Sequence, residues 1–284
     1  MVNEQILPNF LVIGAMKSGT TSLRYTLSCH PEVFMVYPNE PRFFHSDQLY
    51  NSEGLTYYSS FFEEAKGKKA IGEGSGFYAW ESYNPKTAER IAETIPDIKI
   101  IYMVRHPIKR IVSHWAWAIS SGRPFGQIEQ AVNQDRRFID MSMYWKQINV
   151  YRAFFEDRNI KIIFLEDLQS NPIKFYQDCF NFLGVDSNWK DDSFIEAKNQ
   201  TDSRLTDSSF LIKLRTAVNT QKIKEILPDK LVDVLKPVFK TNKKPTPNWN
   251  HNFRKEVESK IYPDSMKFLE YCNKPKDFWK FEFY

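Results

Sequence analysis

The stretch FLVIGAMKSGTTSL, residues 10–23, decides the fold of this 284-residue chain. Its first part, Phe10–Gly14, is apolar and contains branched side chains, which is typical of a strand buried on both faces. Its last part enters a helix that the sequence predicts over Thr21–Cys29. A buried strand followed directly by a helix is the first half of a βαβ unit, from which parallel α/β sheets are built.

The loop between this strand and this helix has the composition of an anion site. Gly14 and Gly19 permit a tight turn and the close approach of an anion, and Lys17 adds a full positive charge. Hydroxyl donors follow at Ser18, Thr20, Thr21 and Ser22. The loop is not a Walker loop, because its lysine stands two residues before the second glycine instead of directly after it. We predict a phosphate-binding loop; a strand–helix turn with incidental hydroxyls is the alternative.

Further strands and helices alternate along the chain. Apolar runs predict strands at Lys99–Val104, Lys161–Leu165 and, as a weaker fourth, Lys69–Gly72. Helices are predicted at Pro85–Ile95, Pro107–Ser120, Met143–Asp157, Pro172–Leu183 and Phe253–Cys272, with proline-broken helical segments from Ser208 onward. The alternation predicts an α/β fold with a central, mostly parallel sheet flanked by helices. We expect one domain over residues 1–284, with a helical C-terminal third.

Composition and charge narrow the possible functions. The 39 Lys and Arg residues against 35 Asp and Glu leave a net charge of +4, too small to indicate a nucleic-acid partner. The longest apolar runs are far shorter than the roughly 20 residues that a membrane-spanning helix needs. The three cysteines, Cys29, Cys179 and Cys272, are widely spaced, which argues against a structural metal site and indicates a reducing compartment. We therefore predict a cytoplasmic protein without a membrane span or a bound metal.

The segment Lys-Ser-Gly-Thr-Thr-Ser at residues 17–22 resembles the 5′-phosphosulfate loop of sulfotransferases that use 3′-phosphoadenosine 5′-phosphosulfate (PAPS). The resemblance implies a second strand that ends in an arginine, with a serine eight residues later, for binding the 3′-phosphate. Arg105 follows the predicted strand Lys99–Val104, and Ser113 stands at the implied spacing. A surface ion pair for Arg105 and a solvent-facing position for Ser113 are the alternatives. Their joint match to the spacing favours the sulfotransferase interpretation.

The resemblance runs nearly from end to end of the chain. Similarity to the family's central region is carried by Tyr144-x-x-Gln147, Phe164–Leu168, Asn171-Pro172 and Phe182–Gly184, and similarity to the heparan-sulfate-type C-terminus by Ile261–Trp279. The family's basic loop over the 3′-phosphate falls by position on Lys243 and Lys244, although a solvated lysine run is nearly as good an interpretation. The implied cofactor-binding residues are Lys17, Ser18, Gly19, Thr20, Thr21, Ser22, Arg105, Ser113, Tyr144, Lys243 and Lys244.

Sulfuryl transfer also needs a base for the acceptor's proton and a cation for the leaving phosphate. The resemblance points to Glu40, in the segment Tyr37–Phe44, which is similar to the Lys-Glu-Pro-x-Phe-Phe segment of the glycan sulfotransferases; Asn39 replaces the lysine. Glu40 and Lys17 are thus the predicted catalytic residues, with Lys17 stabilising charge on the bridging oxygen.

Three rivals to Glu40 as the base remain open in the sequence: His45, Glu73 and His114, the last of which is interpreted instead as packing against the sheet. Glu40 itself could be a loop carboxylate paired with Arg42. No metal is required for the reaction, because a sulfuryl group carries less charge than a phosphoryl group. The second strand accordingly ends at Arg105 instead of the aspartate of magnesium-binding P-loop kinases.

The sequence therefore predicts a PAPS-dependent sulfotransferase that acts on a hydroxyl or amine and releases adenosine 3′,5′-bisphosphate. A small metabolite or natural product of secondary metabolism is the favoured acceptor. A saccharide or lipid acceptor is the alternative, as is a catalytically silent nucleotide- or glycan-binding module of the same fold. The oligomeric state is left open.

Overall fold

The computed structural model describes residues 5–80, 82–190, 206–207, 240–241 and 247–284. Five strands form the main sheet: β1 (Phe10–Gly14), β2 (Val33–Met35), β3 (Ala70–Gly74), β4 (Lys99–Val104) and β5 (Ile160–Phe164). Their order across the sheet is β2-β3-β1-β4-β5, and every pair is parallel. Two residues each, Thr206–Asp207 (β6) and Lys240–Thr241 (β7), pair separately as an antiparallel ribbon.

Helices connect the strands and cover the sheet. In chain order they are α1 (Thr20–Cys29), α2 (Ser52–Ser60), α3 (Thr87–Thr94), α4 (Pro107–Ser120), α5 (Ile128–Gln134), α6 (Arg137–Asp140), α7 (Tyr144–Arg152), α8 (Leu165–Ser170), α9 (Pro172–Leu183) and α10 (His251–Tyr271). The side chains of Leu11 and Ile13 belong to one hydrophobic cluster, and those of Phe10 and Val12 belong to a second. Alternate residues of a strand point to opposite faces, so the two clusters lie on the two sides of the sheet. The predicted α/β fold with a central parallel sheet is confirmed.

The strand order defines a topological switch point at the carboxyl end of the sheet. After β1 the chain adds β2 and β3 on one side of that strand, and it later adds β4 and β5 on the other side. The connections that leave β1 and β4 therefore diverge, and parallel α/β sheets bind ligands where neighbouring connections diverge in this way. The loop over residues 15–19 and the turn at Arg105 lie at this switch point.

Local signals explain the helix boundaries that the sequence predicted correctly. Pro107 is the first residue of α4, and the side chain of His106 caps that helix by accepting a hydrogen bond from the Ile108 N–H at 3.2 Å. Asn171 caps α9 in the same way, and Gly184 ends it in the left-handed conformation at φ 80°. These two helices match their predicted bounds.

Several sequence predictions differ from the structure. Strand β2 has only three residues and was not predicted, and the short helices α2, α5, α6 and α8 were also missed. The predicted helix Met143–Asp157 ends at Arg152, and the predicted strand Lys161–Leu165 lies one residue earlier. The predicted C-terminal helix Phe253–Cys272 is present as α10, His251–Tyr271. Residues Lys240–Thr241, which lie in the part predicted to be helical, form the extended strand β7 instead. The remainder of residues 191–246 lies outside the described residues.

The C-terminal segment packs into the hydrophobic core. The side chain of Trp279 stacks on Phe268 with 6.0 Å between ring centroids and also contacts Tyr144 at 5.7 Å. The Nε2 of His106 donates a hydrogen bond to the Lys280 carbonyl at 2.8 Å. The tail is thus attached both to the N-cap of α4 and to a buried tyrosine of α7.

Candidate active site

The loop after β1 has the conformation of an anion-binding turn. Gly19 precedes α1 at φ 98°, and a Cβ atom at that position would lie 2.8 Å from Met103 Cε. Only glycine adopts this conformation without strain and leaves that space free. Lys17 is also left-handed, at φ 72°. Helix α1 begins at Thr20, so its unpaired N–H groups and positive dipole end face the loop.

The structure brings Arg105 and Tyr144 to this loop. The Arg105 guanidinium donates to the carbonyl of Lys17 at 3.3 Å. Tyr144, the first residue of α7, is fully buried, and burial raises the pKa of its hydroxyl to about 12, with Arg110, Ser18 and Arg105 acting in the opposite direction. Burial also lowers the pKa of Arg105. Residues from three elements thus converge, as the sulfotransferase interpretation implies.

Three buried polar atoms here have no well-formed hydrogen bond among the described residues: Ser18 Oγ and Tyr144 OH, which lie near each other, and Arg105 Nε. Leaving such groups unpaired costs about 1–3 kcal/mol each. All three can donate a hydrogen bond, which suits a phosphate- or sulfate-bearing ligand. The residues present therefore fit a nucleotide such as PAPS.

The remaining predicted cofactor-binding residues have varied positions. Thr20 and Ser22 are half-buried on α1, Thr21 is exposed, and Ser113 is half-buried on α4. Lys243 and Lys244 lie outside the described residues.

Lys17 lies beside an aromatic ring and additional cations. Its ammonium lies 5.6 Å from the centroid of the Trp117 ring, and the Arg123 guanidinium lies 4.9 Å from the same ring. The neighbouring His114 is buried, and burial, with four cations around it, lowers its pKa to about 2. The imidazole is therefore neutral, and the positive charge of this region comes from arginine and lysine.

Arg110 supports the loop from below and was not singled out in the sequence. It is completely buried on α4 and donates to the Ser142 hydroxyl and the Phe138 carbonyl, both at 2.5 Å, and to the Met16 carbonyl at 3.5 Å. Burial lowers its pKa to about 10, so it remains charged at neutral pH. The arginine reaches these partners only through tertiary structure, since they lie far from it in the sequence.

Glu40 lies in the loop that follows β2 and faces two arginines. Arg24 Nη1 donates to Glu40 Oε1 at 3.1 Å, and Arg42 Nη2 lies 3.4 Å from Oε2. The Glu40 side chain is 29% exposed, whereas that of Arg24 is 4% exposed. The ion pair with Arg42 that the sequence offered as an alternative is present, and the one with Arg24 was not foreseen.

Two of the rival bases lie in more enclosed surroundings. His45 is buried against the rings of Phe77 and Tyr78, and burial, followed by the charges of Arg42 and Arg90, lowers its pKa to about 4. Glu73 is fully buried on β3, and burial raises its pKa to about 7. Its Oε1 accepts a hydrogen bond from the Tyr58 hydroxyl at 3.2 Å.

An aromatic patch, defined as Phe77, Trp80 and Tyr83, is connected to Glu40 through Arg42. The Arg42 guanidinium lies 5.2 Å from the Phe77 ring centroid, and the rings of Trp80 and Tyr83 stack at 4.8 Å. The Ala79 N–H donates to the Ile13 carbonyl at 2.9 Å, which attaches this segment to β1 just before the anion-binding loop. The patch therefore lies next to Arg42, the ion-pair partner of the predicted base, and next to the loop over residues 15–19, which is the predicted donor loop.

The family assignment follows from comparison with known proteins. The model of the sulfotransferase domain matches residues 7–262, which is most of the chain. The chain therefore belongs to the sulfotransferase domain family, and the assignment made from the phosphosulfate loop is confirmed at that level. Among structures, a sulfotransferase from Alicyclobacillus acidocaldarius superposes with a TM-score of 0.69 at 21% identity, covering 96% of this chain and 99% of that one. It has the same fold.

Curated relatives match over parts of their length. A membrane-associated sulfotransferase of Dictyostelium discoideum is 39% identical over 116 residues, which are 40% of this chain and 23% of that protein. A bifunctional heparan sulfate N-deacetylase/N-sulfotransferase of Homo sapiens is 26% identical over 199 residues, 63% of this chain and 22% of that protein. The match thus spans less than a quarter of either relative. None of the helices in the described part of this chain is long and apolar enough to cross a membrane.

Proposed function

We propose that this protein transfers a sulfuryl group from PAPS to a hydroxyl or amine of an acceptor. The proposal is carried by one observation, namely that buried donors of Ser18, Arg105 and Tyr144 lie together at a strand–helix loop at the switch point of the sheet. A ligand with phosphates at both ends, such as PAPS, suits donors that come from the loop after β1, the end of β4 and the start of α7. Lys17, Gly19 and the α1 N-terminus would bind its 5′ end, and Arg105 and Ser113 its 3′ end.

Bound PAPS supplies the activated sulfuryl group, and this chain supplies positioning and charge. Lys17 neutralises negative charge that develops on the bridging oxygen when the bond to sulfur breaks. Glu40, which is partly exposed, takes the proton of the attacking oxygen or nitrogen. Glu40 is preferred to Glu73, which has no exposed surface through which to reach an acceptor.

We propose that the acceptor is a small molecule that carries a flat ring, in keeping with a role in secondary metabolism. The support is the aromatic patch connected to Glu40 through Arg42, in which Tyr83 is 56% exposed. Stacking on such rings contributes roughly 0.5–1.5 kcal/mol beyond simple burial, enough to orient a small acceptor. Saccharide and lipid acceptors are the competing classes, because CH groups of a sugar and acyl chains also pack on aromatic rings.

Thermal stabilisation by ligands tests the donor assignment. We expect adenosine 3′,5′-bisphosphate at 100 times its dissociation constant to add about 2.7 kcal/mol of stability, and ATP with magnesium to add none. The reverse pattern would refute a PAPS site. Incubation with labelled PAPS and a panel of phenols, aromatic amines, sugars and lipid alcohols then tests transfer. Bisphosphate binding without transfer to any acceptor would favour a silent nucleotide-binding module.

The extent of the domain and its compartment stay predictions. A single domain over residues 1–284 rests on the absence of a linker-like segment in the sequence. A cytoplasmic location rests on the cysteine pattern, and the three cysteines are free thiols in the structure.

A further inference from the structure

Arg24 is a buried arginine in the first turns of α1, the helix that begins at the donor loop. Its side chain is only 4% exposed. Arginine is almost never buried without partners, so its contacts are informative. Its Cδ lies close to β3, 3.1 Å from where a Cβ of Gly74 would stand, so the side chain passes through a gap that glycine leaves open. Packing of the aliphatic part of the side chain against β3 therefore restricts where the guanidinium can lie, in addition to its hydrogen bonds.

The hydrogen bonds of this guanidinium all go to one short segment. Nη2 donates to the carbonyls of Val36 at 3.0 Å and Pro38 at 3.4 Å, and also to that of Asn39. Nη1 donates to the Glu40 carboxylate at 3.1 Å. A single planar group thus holds the backbone that leads to Glu40 and the Glu40 side chain itself.

We propose that Arg24 is a positioning residue for sulfuryl transfer. It holds the Glu40 carboxylate in a fixed position relative to α1, the helix that begins at the donor loop. This inference rests on the proposed function, because it takes Glu40 as the base. The carboxylate has torsional freedom and is partly exposed, so it would otherwise sample several rotamers. Arg24 restricts that freedom and links the base to the donor site through one helix turn.

Lysine should not replace Arg24 in this role. A guanidinium presents five N–H donors in a rigid fork, whereas an ammonium is a compact point charge with three. Arg24→Lys keeps the charge but loses simultaneous contact with the carbonyls and the carboxylate. A misplacement of about 1 Å at a reacting group can cost on the order of 100-fold in rate. We expect kcat to fall 10- to 100-fold, with the KM for PAPS changed less than about threefold.

The matched control is Arg90, a second buried arginine that supports the same region. Arg90 Nη1 donates to the Phe44 carbonyl at 3.2 Å, and Nη2 pairs with Asp47. It has no contact with Glu40 among the hydrogen bonds and ion pairs of the described residues. Arg90→Lys should lower the melting temperature to a similar extent as Arg24→Lys but leave kcat within about twofold of wild type.

The decisive experiment is a double-mutant cycle with Glu40→Gln. If Arg24 acts through Glu40, then Arg24→Lys should cost 10- to 100-fold in the wild-type background and less than about threefold in the Glu40→Gln background. Equal losses in both backgrounds would overturn the inference, because they would indicate a general structural effect.

Stabilisation by adenosine 3′,5′-bisphosphate is measured for each variant in parallel. Retained stabilisation shows that the variant is folded with its donor site intact, so its kinetic loss is interpretable. Failure of the wild-type protein to bind the bisphosphate or to transfer a sulfuryl group would refute the proposed function itself. Wild-type transfer together with normal kcat in Arg24→Lys would refute the role of Arg24 alone.

Discussion

Replacing Glu73 with glutamine should stabilise the protein more at pH 8 than at pH 4. Glu73 is fully buried on β3, where burial raises its pKa from 4.5 to about 7. The hydroxyls of Tyr78 and Tyr58 and the charge of Arg24 act against that shift, and the charge of Glu40 adds to it. Glutamine has almost the same shape, can accept the hydrogen bond from Tyr58, and does not ionise.

The size of the effect follows from proton linkage. Below pH 4.5 the carboxyl is protonated in both the folded and the unfolded chain, so its contribution does not vary. Between pH 4.5 and about 7 the unfolded chain loses the proton while the folded chain keeps it, so stability falls as pH rises. At about 1.4 kcal/mol per pKa unit, the wild type loses on the order of 3 kcal/mol across this window, and the variant loses none of it.

The assay is urea unfolding of both proteins at several pH values between 4 and 8. The free energy of unfolding of Glu73→Gln minus that of the wild type should increase by about 3 kcal/mol from the lowest pH to the highest. Glu89→Gln, at an exposed position of α3, is the control for the loss of one carboxylate. A flat difference for Glu73→Gln would refute the reasoning. Sulfuryl transfer should survive the substitution, whereas its complete loss with normal bisphosphate binding would make Glu73 the base.

Three further substitutions test the donor site. Lys17→Ala should lower kcat by roughly 100- to 1,000-fold, as the loss of a group that stabilises transition-state charge does, while circular dichroism shows an unchanged fold. Arg105→Met should reduce the preference for adenosine 3′,5′-bisphosphate over adenosine 5′-phosphate by roughly 10- to 100-fold in titration calorimetry; equal weakening of both ligands would contradict a 3′-phosphate contact. Gly19→Ala should cost about 1–3 kcal/mol of stability, because φ is 98° and the new Cβ would lie 2.8 Å from Met103 Cε, and a melting temperature equal to wild type would contradict the strain argument.

The sequence was most informative where the signal is local. Phe10–Gly14 and Lys99–Val104 are continuous apolar runs, and both have their predicted bounds as β1 and β4. The glycines, the lysine and the hydroxyls of the donor loop are close together in the sequence, so an anion-binding loop can be predicted from them without knowledge of the fold. Strand β2 was not predicted because three residues are too few to show the alternation of apolar and polar side chains that identifies a strand. Its extended conformation is stabilised by pairing with β3.

The supports of the candidate site are a tertiary property and were not predictable. Arg24 and Glu40 are 16 residues apart and meet only because α1 lies beside the loop after β2. Tyr144 was implied by family resemblance, whereas the position of its buried hydroxyl near Ser18 and Arg105 depends on the tertiary structure. The preference for Glu40 over Glu73 as the base likewise depends on the solvent exposure of the two side chains, which the sequence around each glutamate does not show.

The attachment of the C-terminal segment makes the donor site sensitive to events far along the chain. Trp279 contacts Tyr144, and Lys280 accepts a hydrogen bond from His106, the residue next to Arg105. We therefore expect a cut between α10 and Trp279 to loosen Tyr144 and Arg105, two walls of the proposed nucleotide site, without touching the donor loop. Linkage works in both directions, so a bound nucleotide should slow that cleavage. Digestion rate in the presence and absence of adenosine 3′,5′-bisphosphate is thus a label-free gauge of occupancy.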